Sequence, residues 1–449
     1  MSDLSTVIEV AGALSAAGGL GYAKARSPRV FWSLVGAPVA RVRFSVTYRA
    51  TMDVCGLTVQ PSRLRAFMVR NVARRQDVQP VPPQVRRVRY STTGMRATLR
   101  LPAGLEPADV AAASERLRHA WGVHSVHVVE VKPGFVELRM TGYDVLRRVK
   151  MPRRLPRNST GPLVVPVALR EDGTAFVRDY QKIPHALTVG ANQSGKSMYQ
   201  RNLISQLAKR PVGLVGIDCK RGVEQRAYAP RFSALAVTPD EADGLLEALV
   251  GEMEERFDLL SSHGVPDLWG LPATVRPVPL VVLVDEVAEL FLVAVKKDEE
   301  RRDRMVMRMI RLAQMARAVG IFLEVCGQRF GSDLGKGATA LRAQLTGRVV
   351  HRVNDKQTAE MALGDIAPEA VFTATTIAPD RPGVAVAGDS SGGWSRIRTP
   401  AMPPAQAVAV CHEYAHLTPH FAALAPFRPA ISAAPAPGSQ LLKPRPATS

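Results

Sequence analysis

A chain of 449 residues, 46% hydrophobic and 22% charged, is long enough for two or three domains and too evenly mixed for wholesale disorder. Its formal charge of +19 is concentrated in the first third, where residues 1–160 hold 26 basic against 10 acidic side chains while the rest holds 33 against 30. That asymmetry points to a polyanion or an anionic membrane surface beside residues 1–160, and four scattered cysteines without a C-x-x-C pair exclude a zinc pair or a disulfide framework and imply a reducing, intracellular setting.

In chain order, residues 1–75 form a basic N-terminal region with no evident secretory signal. Leu4–Tyr22 has the length of a membrane span, but it is built on Gly, Ala and Ser. Glu9 at its centre costs about 2.5–3.5 kcal/mol on insertion. A second apolar patch, Val30–Ala40, carries Trp32 and is followed by Arg41, Arg43 and Arg49. The two patches read equally well as a membrane-docked hairpin and as helices packed within the protein. The Pro- and Arg-rich run at 76–87 reads as a linker. Residues 88–146 alternate strand patterns around one amphipathic helix, with Pro133-Gly134 closing the last hairpin, and predict a small α+β module. A basic, proline-broken connector follows at 147–161.

From 162 to 400 the pattern becomes apolar strand, helix, strand, repeated, which predicts an α/β fold with a mostly parallel sheet covered on both faces. Residues 401–449 read as an Ala/Pro-rich tail, disordered beyond Pro426.

The α/β region carries the chemistry. Gly190-Ala191-Asn192-Gln193-Ser194-Gly195-Lys196-Ser197 fits G-x-x-x-x-G-K-[S/T] between a strand and a helix, the context in which backbone N–H groups wrap a phosphate at a helix N-terminus. Lys196 is expected to reach the β- and γ-phosphates of ATP, and Ser197 to ligate Mg²⁺. The apolar strand PLVVLVDE ends in Asp285, expected to hold Mg²⁺ through its water shell, and Glu286, expected to orient and deprotonate the attacking water. A further strand, GIFLEVCGQ, ends in Gln328, placed to sense the γ-phosphate. Arg317, Arg329, Arg342 and Arg348 are four candidates for a guanidinium acting on a neighbouring subunit's phosphate, and the sequence does not choose among them.

PHALTVGANQSGKS, GIDCKRG, EMEERFDLLSSHGV, PLVVLVDEVAEL, LAQMARAVGIFLEVCGQR and LTGRVVHRVNDKQTAEMALGD together resemble the FtsK/SpoIIIE DNA translocases over roughly Pro162–Pro400. With a short basic N-terminal region, an α+β module and a single motor, the chain is most similar to the actinobacterial conjugative transfer proteins of the Tra/TraB type. The resemblance implies a RecA-like P-loop motor, a hexameric ring on double-stranded DNA, and ATP hydrolysis with Mg²⁺ driving the duplex. By the same analogy Lys196, Ser197, Asp285, Glu286 and Gln328 take the roles just given. The family's T-Q-R-P is here Gly327-Gln328-Arg329-Phe330, a departure at two positions. Too little sequence follows the motor for the winged helix of many relatives, so a separate DNA-specificity factor is expected, with a location in the cytoplasm at the inner face of the membrane. The readings weighed against conjugative transfer are chromosome segregation, type VII-like protein secretion and a non-hydrolysing ATP-binding adaptor.

Overall fold

The computed structural model describes residues 25–60 and 79–430, apart from 153, 154, 157, 158, 160, 294, 332, 333, 365, 367, 390 and 391. The apolar stretch Leu4–Tyr22 lies outside the described residues. The chain divides into two compact units, residues 1–154 with 169–175, and residues 155–168 with 176–449.

In the first unit a short helical turn, Pro28–Phe31, and a π turn, Trp32–Gly36, lead into helix α1, Ala37–Val54. Its buried side, Ala37, Ala40, Phe44, Tyr48, Thr51 and Met52, follows the three-and-four spacing of one helix face. Trp32 is buried and donates its indole N–H to the Ser91 carbonyl at 3.2 Å. Glycine is required beneath that ring, since a Cβ on Gly142 would lie 2.1 Å from it. The Val30–Ala40 patch is therefore anchored by packing at Trp32, Ala37 and Ala40, while Val30 and Leu34 stay exposed. Among the described residues no helix is long and apolar enough to cross a membrane.

Strands β1 (Gln84–Tyr90), β2 (Gly94–Arg100), β3 (Ser125–Lys132) and β4 (Phe135–Thr141) form an antiparallel sheet in the order β1-β2-β4-β3. The expected linker at 76–87 is thus corrected, because β1 begins inside it. Pro82 and Pro83 precede the strand's first residue and interrupt no ladder bond, and the Tyr48 hydroxyl donates to the Pro83 carbonyl at 2.7 Å. The expected single helix is also corrected. It breaks at Ala113 into α2 (Pro107–Ala112), capped by Asp109 accepting from the Glu106 N–H at 2.8 Å, and α3 (Ser114–Trp121), which ends on Gly122 at φ +64°. Phe44 and Tyr48 of α1 meet Trp121 of α3 over one face of the sheet, with ring centroids 4.9 and 6.5 Å apart.

The second unit holds a ten-stranded sheet in the order β6-β5-β14-β13-β12-β7-β11-β10-β8-β9. Its core is parallel: β12 (Gly347–His351), β7 (Ala186–Val189), β11 (Ile321–Gly327), β10 (Leu280–Val284), β8 (Gly213–Ile217) and β9 (Phe232–Ala236). Almost every residue on these strands is buried, as expected where helices cover both faces. Beyond β12 the sheet continues antiparallel through β13 (Val384–Gly388) and β14 (Trp394–Arg398), and β5 (Val164–Arg170) and β6 (Ala175–Asp179) are the next strands in its order.

Helix α4 (Lys196–Ala208) follows β7. Helix α5 (Pro239–His263) starts where the Thr238 hydroxyl accepts from the Glu241 N–H at 3.2 Å and stops at Gly264, φ +63°. Helix α6 (Lys296–Met315) lies beside α5, and its arginines meet α5 acids: Arg301 with Asp240, Arg304 and Arg308 with Asp243, Arg311 with Glu254. Three shorter helices follow, α7 (Ala338–Gln344), α8 (Lys356–Leu363) and α9 (Pro368–Thr375).

The reading of 401–449 as a tail needs a further correction. Pro404–Glu413 is a helix, α10, whose Ala407 and Cys411 are fully buried, and Leu424 is buried farther on. Proline at the first position of a helix has no N–H to waste and its ring presets φ, so this Ala/Pro-rich composition starts a helix here. Asn202 and Arg201 on α4 hydrogen-bond the Pro400 and Met402 carbonyls at 2.9 and 3.0 Å, which fixes the segment against the helix of the phosphate loop. Residues 431–449 of the expected tail lie outside the described residues.

Candidate nucleotide site

The parallel strands β7, β10 and β8 end at neighbouring points, and the loops leaving them build the site. Out of β7 the chain runs through Gly190–Gly195 into α4. Gly195 adopts φ +105°, and a Cβ there would sit 2.2 Å from the Gly383 nitrogen, so only glycine closes this turn. Gln193 is also left-handed, at φ +60°. The loop is pinned from outside: Ala191 N–H donates to the Arg352 carbonyl at 2.9 Å, Gly383 N–H to the Ser194 carbonyl at 2.9 Å, and the Arg352 guanidinium to the Asn192 carbonyl at 3.1 Å. The amides at the start of α4 have no acceptor within the helix, because a helix leaves its first N–H groups free. They sit where an anion is favoured. The Ser194 hydroxyl is buried with no hydrogen-bond partner.

Asp285 and Glu286 follow β10, both 7% exposed. Register with β8 carries Asp285 to the level where its N–H donates to the Ile217 carbonyl at 3.0 Å. Burial first, and the nearby Asp218 second, push the Asp285 carboxyl up to about 6, with Lys196 and Lys220 opposing. Glu286 is held on both oxygens. Lys196 Nζ lies 3.2 Å and Lys220 Nζ 3.7 Å from Oε2, while the Gln328 backbone N–H donates to Oε1 at 3.2 Å. Beside them a cavity of about 370 Å³ is lined by Ala191, Lys220, Glu286, Gln328, Arg329 and Asn354, among others.

The structure thus brings Lys196, Asp285, Glu286 and Gln328 to one set of strand ends. Gln328 meets Glu286 through its backbone, and its own side chain is exposed. Of the four arginines, Arg329 lines the cavity of its own chain. Arg317, Arg342 and Arg348 each donate to a carbonyl, of Gln181, Phe330 and Arg342.

Lys220 was missed in the sequence. It sits in the GIDCKRG loop after β8, where Asp218 accepts the N–H groups of Lys220, Glu224 and Gln225 at 2.9–3.2 Å and Arg221 takes φ +62°. The signal was available, since the loop leaves the strand next to PLVVLVDE. No role attaches to a lysine in a turn until the partner strand is known.

The residues present fit a nucleoside triphosphate: a glycine-closed loop running into a helix N-terminus, a buried Ser194 hydroxyl lacking a partner among the described residues, and Lys196 beside the Glu286 carboxylate. For the cation, no group of three or more His, Cys, Asp or Glu side chains converges among the described residues. Mg²⁺ is a cation held by one or two protein oxygens together with phosphate oxygens and water. Ser197 and Asp285 are the oxygens available.

Residues 17–142 match the actinomycete conjugal transfer protein N-terminal domain, and 148–272 with 271–332 match the FtsK/SpoIIIE family. The transfer protein TraSA of Streptomyces ambofaciens is 53% identical over 418 residues, covering 91% of this chain and 100% of that protein. A sporulation regulatory protein of Streptomyces azureus is 70% identical over 269 residues, 60% of this chain and 89% of that one. Among solved structures, the pCW3 conjugation coupling protein TcpA, a monomer form with ATPγS, superposes with a TM-score of 0.51 at 19% identity, over 73% of this chain and 93% of that one. That likeness establishes a shared fold.

Proposed function

Because this chain belongs to the actinomycete conjugal transfer proteins and carries the P-loop ATPase domain of the FtsK/SpoIIIE family, we propose that it is an ATP-driven double-stranded DNA translocase that moves plasmid or integrative-element DNA between cells. The observation that carries this reading is the meeting of Lys196, Lys220 and the Gln328 backbone on the Glu286 carboxylate, beside the phosphate loop.

In the proposed mechanism the loop amides and Lys196 hold the β- and γ-phosphates. Lys196 exchanges Glu286 for the phosphate oxygens, which frees a carboxylate to orient and deprotonate the attacking water. Ser197 and Asp285 would hold Mg²⁺, which would supply charge neutralisation at the phosphates. The Gln328 N–H fixes the Glu286 oxygen it contacts and links that oxygen to β11, so a change at the phosphate is passed to a strand end. A single motor moving a long polymer needs neighbours to hold it between cycles. We therefore assign a homo-oligomeric ring, taken as a hexamer, with its place in the cytoplasm at the inner membrane face and a separate factor supplying DNA-site specificity.

The test is ATP hydrolysis by the oligomeric full chain with and without duplex DNA. Stimulation by duplex that disappears in Lys196→Ala is expected, and a complete lack of stimulation in the unaltered protein refutes the reading.

A further inference from the structure

The sheet of the first unit is covered on one face by α1, α2 and α3, whose core takes Val88, Met95, Ala97, Leu99, Val126, Val136, Leu138 and Met140. Its other face carries the alternate residues of each strand. The register there aligns Arg89 of β1 with Arg96 of β2, Arg96 with Arg139 of β4, and Arg139 with His127 of β3. Three guanidinium groups therefore stand side by side on adjacent strands, with Arg87 and Arg100 on the same face in the rows beyond.

Like charges directly opposite one another destabilise a sheet, so this row works against folding. Charged residues commonly protect sheet edges, which accounts for Arg87 and Arg89 on the edge strand β1. Arg96 and Arg139 lie on the two central strands, where there is no edge to protect. Their compensation within the unit is partial. Glu137 takes Arg139 at 2.7 Å and Arg96 at 4.0 Å, Asp172 takes Arg96 at 3.3 Å, and Glu171 sits 2.6 Å from His127. Arg89 and Arg139 remain exposed.

We propose that the part of this sheet face left exposed beside Glu171 and Asp172 is a docking track for the phosphate backbone of duplex DNA, separate from the motor's own grip, with Arg89, Arg96 and Arg139 as its phosphate contacts. The choice of duplex rests on the translocase reading above. The choice of a polymer over a lipid surface rests on the face itself. Among the described residues the three most exposed apolar side chains of the unit, Leu34, Val46 and Val54, belong to its helical segments, while Val85, Tyr90 and Val131 on the strands are less exposed, and Ser125 and Thr141 next to the row are polar and buried beside Glu171. Adjacent strands are about 4.8 Å apart, so the row spans about 10 Å. A duplex presents one charge per about 1.7 Å of its axis, which makes several phosphates available to the row at once.

The experiment compares the full chain carrying Lys196→Ala with the same chain carrying Arg89→Gln and Arg139→Gln in addition, so that hydrolysis plays no part. Duplex affinity is measured by fluorescence anisotropy across a salt series. Loss of two phosphate contacts makes the log–log salt slope shallower by about 1.8, and with curves meeting near 1 M salt the affinity falls about 60-fold near 0.1 M. The melting temperature is expected to hold or rise, because two members of a repulsive row are gone. An unchanged slope overturns the proposal. So does an affinity loss that merely follows a fall in melting temperature, or a loss of binding to anionic phosphatidylglycerol vesicles with duplex binding intact. If instead the translocase reading fails, the unaltered chain shows no duplex stimulation of ATP hydrolysis, whatever the slope does.

Discussion

Replacing Asp285 by Asn is expected to stabilise the ligand-free protein. The carboxyl is buried beside Asp218, and its pKa stands at about 6 against a reference of 3.8. A difference of roughly two units corresponds to about 3 kcal/mol. The sign follows from proton binding. Between the two values the folded state holds a proton that the unfolded state has released, so this residue's contribution is intact below about pH 4 and is lost as the pH rises toward 6. Above that, the native protein carries an ionised acid in a poor environment, and the amide removes the burden.

The expected result is no stability difference between Asp285→Asn and the parent near pH 4 and about 3 kcal/mol in favour of the variant near pH 8, a rise of roughly 6–12 °C in the melting of this unit. Because two units make a single global transition ill-defined, the measurement is hydrogen-exchange protection of the β10 amides, which reports opening of the motor alone. A variant no more stable than the parent at pH 8, or a gap that does not depend on pH, refutes the reasoning.

Two further outcomes are expected. Arg178 and Glu324 form a buried pair at 2.7 Å, with the guanidinium also donating to the Ile183 carbonyl, so Glu324→Ala, leaving a buried charge unmatched, costs about 3–5 kcal/mol in chemical denaturation, while replacing both by apolar residues of similar volume costs far less. Ending the chain after Pro403 removes buried Ala407, Cys411 and Leu424 and lowers the melting temperature of the motor by several degrees. A shortened chain that melts with the parent refutes the packing role given to that segment.

What the sequence revealed depended on how local each signal is. The phosphate loop and the acidic end of β10 are contiguous motifs whose chemistry needs fixed residue types at fixed spacing, and both stand where their flanking strands put them. The parallel order of the sheet core was legible from apolar runs separated by helices. Contacts made by backbone groups were not: the Gln328 N–H reaches Glu286, and any residue at that position offers the same donor. Lys220 depends on the pairing of β8 with β10, a long-range fact. Strand β1 was hidden by two prolines and four exposed charges or amides among its residues, since a strand with one solvated face needs few apolar positions. Helix α10 was hidden because alanine and cysteine fill a shallow groove as well as leucine fills a deep one, and composition alone does not distinguish that from a tail.

The bracing of α4 by residues near 400 sets an order of events during synthesis. The helix that leaves the nucleotide loop emerges about midway through translation, yet Asn202 and Arg201 find their carbonyl partners only some two hundred positions later, and Ser194 waits nearly as long for Gly383. A ribosome paused before that stretch presents a phosphate loop and an α4 that still lack these hydrogen bonds, and contacts of such long range close slowly. The bracing of the nucleotide loop and its helix is thus completed late in synthesis.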